Sequence, residues 1–157
     1  MKATNRVVLA GVALLAIGCS AAFASSSTTF SGKTGQKAKI SFRASSTAVS
    51  ELKTNVTVSC LGAYPVLKHE LVVMPIASGG PARVHSESFT FTIPAPVSHK
   101  PGKNERTVVT GRIHGHSASG SIKTLFGKTW PVTDPYTGSI RVEVGSCAAN
   151  TTWSARS

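Results

Sequence analysis

The chain has 157 residues, with 17 Lys and Arg against 6 Asp and Glu, a formal charge of +11. That length bounds one domain with a real core rather than two, and so few carboxylates leave little material for paired-acid chemistry. Aromatic residues make up only 6%, and no basic helix or aromatic-laced strand of the base-stacking kind is present. The excess charge therefore reads as a solvated basic surface suited to polyanions, with no specific nucleic-acid partner.

Residues 1–24 read as a secretory signal peptide. Lys2 and Arg6 precede an apolar run over 7–17, and small residues end at Ala22, Phe23 and Ala24, which places a peptidase site before Ser25. The run is shorter than the roughly 20 residues a spanning helix needs, so no permanent transmembrane helix is expected after cleavage. The expected location is secreted or extracytoplasmic. A competing ending uses Cys19 as a lipidation site, which would anchor the chain at the outer face of the membrane; Ala16 and Ile17 fit that motif imperfectly. Loss of Lys2 and Arg6 lowers the charge from +11 to +9. Cleavage before Ser25 leaves Cys60 and Cys147, and two cysteines in an exported chain are expected to form one disulfide. The close Cys/His spacing of a zinc site is missing.

Residues 25–29 read as a Ser/Thr linker and 30–157 as a single β-domain. Ala38, Ile40 and Phe42 alternate with Lys39, Ser41 and Arg43; Val56, Val58 and Cys60 with Thr57 and Ser59; Phe89, Phe91 and Ile93 with Ser88, Thr90 and Thr92. Period two predicts half-buried antiparallel strands. Segments 66–74, 107–113, 119–126, 139–144 and 151–156 add candidates of similar length, and no segment has sustained helical periodicity. Turn chemistry falls at SGGP (78–81), PAPVSHKPGKN (94–104) and TDPYTG (133–138). The expectation is an all-β fold of about eight or nine strands, mostly hairpin-connected, in an antiparallel β-sandwich or a closed β-barrel.

Several pieces in this order resemble a pattern of small secreted all-β domains of actinobacteria, of unknown function. They are FSGKTGQKAKISFRA at 30–44, VSEL, NVTVSC ending at Cys60, SFTFT at 88–92, VVTGRIHGHSASGSI at 108–122, and Cys147 followed by TTWSAR with Trp153. Within the 108–122 hairpin stretch the family's spacing falls on Gly111, Ile113, Gly115, Ala118, Gly120 and Ile122. The resemblance implies an all-β domain and supports pairing Cys60 with Cys147; it carries no catalytic residues. The stretch 125–138 is longer than the frame, and Trp130 and Tyr136 there would form a flap or cover a barrel end.

Candidate chemistry concentrates in GRIHGHSASGSI (111–122). His114 and His116 share a strand face and could hold one ion, but the next carboxylate after them is Asp134, and His69, His85 and His99 are remote in sequence. The pair is expected to face solvent, with Ile113 and Ile122 facing the core, and no metal or other cofactor is expected. GHSAS misses the G-x-S-x-G elbow and lies in strand-like sequence. Asp134 is the only aspartate, beside Glu51, Glu70, Glu87, Glu105 and Glu143, so a triad or a carboxylate pair has few possible members. No catalytic constellation is recognisable. The polyanion-binding candidates are Lys100, Lys103, Arg106 and Arg112. The expected role is a noncatalytic secreted or envelope-associated domain binding anionic envelope polymers or membrane headgroups. The alternatives are a carrier of a small apolar ligand in a barrel and, behind it, a secreted hydrolase.

Overall fold

Along most of the described strands, residues that alternate in sequence alternate in burial. A computed structural model describes residues 26–62, 69–94, 104–134 and 136–157. The signal segment with Cys19, and His99, Lys100 and Lys103 of the 94–104 loop, lie outside the described residues.

The described chain is all-β, with nine strands: β1 Thr28–Thr34, β2 Lys39–Ala44, β3 Ala48–Leu61, β4 His69–Ala77, β5 Ala82–Arg83, β6 Ser88–Pro94, β7 Arg106–His114, β8 Ser117–Thr133 and β9 Ile140–Arg156. β1 takes in Thr28 and Thr29 of the stretch read as linker. All pairings are antiparallel and follow the order β4-β3-β2-β1-β9-β8-β7-β6, so nearly every neighbour is also a sequence neighbour. The end of β3 turns back onto β9, pairing Ser59 with Ala148, Cys60 with Cys147 and Leu61 with Ser146. β1, β2, β3 and β9 thereby close a four-stranded ring, and the remaining strands extend from it. β5 adds to β3 at Ala48 and Val49, and a tight turn at Ser86 and Glu87 feeds the chain into β6.

The Cys60–Cys147 disulfide, with Cα atoms 3.9 Å apart, joins the two strands that close the ring. β3 is one strand of 14 residues rather than two short ones because a bulge absorbs a break in its pattern. Val49 and Leu52 are three apart yet both fully buried. The register against β2 shifts between Ser41 and Arg43, and Glu51 takes the extra step with φ +54°.

Phe30, Phe42, Phe89, Phe91 and Trp153 fill the interior. Phe30 stacks on Phe42 at 5.1 Å between centroids, and Trp153 meets Phe42 edge-on at 5.6 Å. Two glycines make room for this. Phe89, Gly111, Gly120 and Trp153 form one row across β6, β7, β8 and β9. A side chain on Gly111 would overlap both the Phe89 and Trp153 rings, and one on Gly120 would overlap the Thr110 carbonyl and the indole. The rings thus lie over bare backbone, and Trp153 Nε1 donates to the Thr110 carbonyl at 3.2 Å. Glycine inside a strand here marks a close approach.

The hairpin at 114–117 forms as the sequence predicts: His114 pairs with Ser117, and Gly115 takes φ +56° at the first turn position, the requirement of a type II′ turn. Ile122 is fully buried, and Ile113 packs partly buried against the core.

Segments 119–126, 139–144 and 151–156 were expected as short strands, but the first belongs to a 17-residue β8 and the other two to a single 17-residue β9. β7 pairs β8 only as far as Leu125 and β3 pairs β9 only as far as Ser146, so beyond those points β8 and β9 pair only with each other. Where β7 stops, the Glu105 carboxylate accepts the Gly127 N–H at 2.8 Å in place of a ladder bond. This hairpin arm is fastened to β4. Trp130 is buried beside Gly145, its indole N–H donates to Glu70 at 3.2 Å, and Lys128 Nζ donates to the same oxygen at 2.7 Å. Tyr136, at the tip, is 95% exposed, whereas Trp130 is buried.

Candidate functional site

Strand alternation that sends Phe30, Thr34, Ala118, Ile122, Trp153 and Ala155 inward sends their neighbours outward, and cross-strand register decides which of those neighbours meet. Two rows result on the outer face of β1, β9, β8 and β7. One runs Ser31, Arg156, Ser117, His114, and the next runs Lys33, Ser154, Ser119, Arg112. All eight residues are exposed. Together they line an open concavity of about 650 Å³.

The centre of this face is hydroxyl and its margins are cationic. Ser117, Ser119 and Ser154 occupy the middle strands, with Lys33 on one side, Arg112 on the other and Arg156 between. None of these three cations has an ion-pair partner among the described residues. Most of the described carboxylates lie elsewhere. Glu51 pairs with Arg43 at 3.3 Å, Glu70 with Lys128, Glu105 binds the Gly127 amide, and Asp134 closes the arm's tip turn. Among the described side chains, Glu87 is the carboxylate that approaches, at the rim, 3.6 Å from His114 Nδ1.

Of the polyanion candidates read from sequence, Arg112 belongs to this face. Arg106 does not: it begins β7 opposite Leu125, six residues and about 20 Å of strand away. Lys100 and Lys103 lie outside the described residues. Lys33 and Arg156 were missed, as were the serines. The available signal was their place on the polar phase of alternating strands.

His114 and His116 do not converge. His114 faces solvent toward Glu87, whereas His116 Nδ1 lies 3.0 Å from Ser157 Oγ in the turn. Among the described residues no three His, Cys, Asp or Glu side chains gather as a metal site would require. His69 Nε2 is 2.8 Å from Ser59 Oγ, a cross-strand bond on the open face of β3 and β4. Its cross-strand partner Leu61 and Leu71, two residues along β4, are exposed, and Glu70, next in the chain, is bonded to the arm on the other face.

One carboxylate has a clear electrostatic setting. Asp134 accepts backbone N–H bonds from Tyr136 at 2.8 Å and Thr137 at 3.0 Å. These bonds favour the ionised form and lower its pKa below 3.8, with the Thr137 hydroxyl and Arg141 adding to the effect. It is a turn-forming group.

No protein-family model, curated protein or solved structure matches this chain. No described helix is long and apolar enough to cross a membrane.

Proposed function

We propose that this is a noncatalytic extracytoplasmic domain that binds anionic envelope polymers through the face formed by Lys33, Arg112 and Arg156. The observation that carries this reading is the double row of serines and unpaired cations, aligned by register on four neighbouring strands. Cations left without carboxylate partners hold their charge for an incoming anion, and serine hydroxyls between them can donate to phosphate, sulfate or carboxylate oxygens and accept from polymer hydroxyls. An extracytoplasmic setting is supported by the disulfide and by the leader-like sequence of residues 1–24. Kinship with small secreted actinobacterial domains is supported by the order of the quoted motifs.

The apolar-carrier alternative asks for space inside the barrel, where Phe30, Phe42, Phe89, Phe91 and Trp153 already pack against one another. A hydrolase asks for acids and histidines in one cleft, and the described ones are dispersed over the rim, the arm and the open face of β3 and β4.

The test is retention of the mature protein on a phosphate- or sulfate-bearing matrix. Wild type should elute at distinctly higher salt than Lys33→Ser/Arg112→Ser/Arg156→Ser, while Arg43→Ser, whose charge is already paired with Glu51, should elute close to wild type. Equal elution of wild type and the triple variant would defeat the proposal.

A further inference from the structure

Resting on that reading, we infer that the cationic face is one end of a longer track, and that its ligand is a linear polyanion lying across the strands and wrapping the barrel. The register extends both rows beyond β1. Ser31 pairs with Ser41 of β2, and Ser41 with Lys53 of β3; Lys33 pairs with Lys39 of β2. One row therefore runs His114, Ser117, Arg156, Ser31, Ser41, Lys53, over six strands. Five interstrand steps make the track about 24 Å long. Arg112, Arg156, Lys33, Lys39 and Lys53 are spaced along it, and small hydroxyl residues fill most of the positions between. A second open concavity, of about 530 Å³, lies at the Lys39 and Lys53 end.

Lys33 stands directly opposite Lys39 in the ladder. Like charges in that position destabilise a sheet, and neither lysine has an ion-pair partner among the described residues. An anion bridging the two converts that repulsion into a binding contribution. The same register distinguishes a chain from a surface. β7 and β3 are separated by β8, β9, β1 and β2 in a sheet that curls until β3 meets β9, so a flat bilayer cannot touch Arg112 and Lys53 together. A flexible chain can follow the curve. The ligand class is a linear polymer with anionic groups along its backbone and hydroxyl-bearing units between them, such as a polyol phosphate.

The experiment uses poly(glycerol phosphate) oligomers with contours of about 10 Å and about 24 Å, the spans of two interstrand steps and of the whole track. Binding to the mature protein is measured by calorimetry between 50 and 200 mM salt. With about five contacts at roughly 0.7 ions each, the longer oligomer should lose about 100-fold in affinity across that range. Lys39→Ser/Lys53→Ser should reduce the loss to about 20-fold, and should weaken the longer oligomer more than the short one, which keeps Lys33, Arg156 and Arg112 to bind. Both lysines are exposed, and circular dichroism checks that the variant folds. If both lengths bind equally, or the variant keeps the wild-type salt slope, the track is wrong and the smaller face stands. If wild type binds neither length, the proposed function itself fails. Anionic phospholipid vesicles bound with the same dependence on Lys39 and Lys53 would overturn the linear-polymer assignment.

Discussion

Gly120→Ala puts one methyl group where four strands meet. The added carbon would lie 2.8 Å from Gly111 Cα and 2.8 Å from the Trp153 ring, closer still to the Thr110 carbonyl, and two of those three neighbours are backbone. Relief requires β7 to move from β8 or the indole to leave its place over the glycines. Either motion strains a packed core, at about 1–3 kcal/mol, and the second also gives up the indole bond to Thr110, about 1 kcal/mol. Alanine returns about 0.5–1 kcal/mol by restricting the unfolded chain, leaving a net loss of about 2 kcal/mol. Two other glycines serve as controls. Gly79 has open space around it and an ordinary backbone, so Gly79→Ala should be neutral or slightly stabilising. Gly115 also has open space but takes φ +56°, so Gly115→Ala should cost about 1–2 kcal/mol through conformation alone. Urea unfolding followed by tryptophan fluorescence orders the three. Gly120→Ala unfolding at the same urea concentration as Gly79→Ala would refute the close-packing account.

Replacing both Cys60 and Cys147 with Ala opens a crosslink between residues 87 apart in sequence, and should lower unfolding free energy by about 4–5 kcal/mol in the chain-entropy model; a loss under about 1 kcal/mol would mean that ring closure needs no crosslink. Because Glu51 takes a left-handed backbone at the β3 bulge, Glu51→Val should destabilise by more than 1 kcal/mol while Glu51→Gly stays near wild type; equal losses would count against the bulge. The Asp134 carboxyl is held below 3.8 by the Tyr136 and Thr137 amides. A depressed folded pKa means its contribution to the tip turn is present above the unfolded pKa and is lost as pH falls through the folded one. An NMR titration should therefore find its midpoint below 3.8, and a midpoint at or above that value would remove those hydrogen bonds from the account.

Period-two alternation made most of the fold legible, because burial on one face leaves a direct trace in sequence. Phe89 and Phe91, Val56 and Val58, and the hairpin around Gly115 all lie where the pattern places them. Strand lengths were less legible for a physical reason. Gly127, Pro131 and Gly145 look like ladder breakers, yet β8 and β9 run through them: Glu105 satisfies the Gly127 amide, and Gly145 leaves room for Trp130 and the Leu61 backbone. The extra residue between Val49 and Leu52, Glu51, likewise breaks the alternation without ending the strand. Of the cations on the candidate face, only Arg112 was legible as a polyanion contact. Lys33, Arg156 and the serines are scattered over residues 31–156, and only the closure of β1 onto β9 brings them together. That closure is a long-range pairing, which local periodicity does not encode.

The most direct test of the anion-binding face is an amide NMR titration of the mature protein with poly(glycerol phosphate) at low salt. The account predicts the largest shifts at Ser117, Ser119, Ser154 and Lys33, along adjacent strands, with the arm tip around Asp134 unmoved. Shifts centred on the arm or on the exposed stretch of β4, with those serines silent, would contradict it.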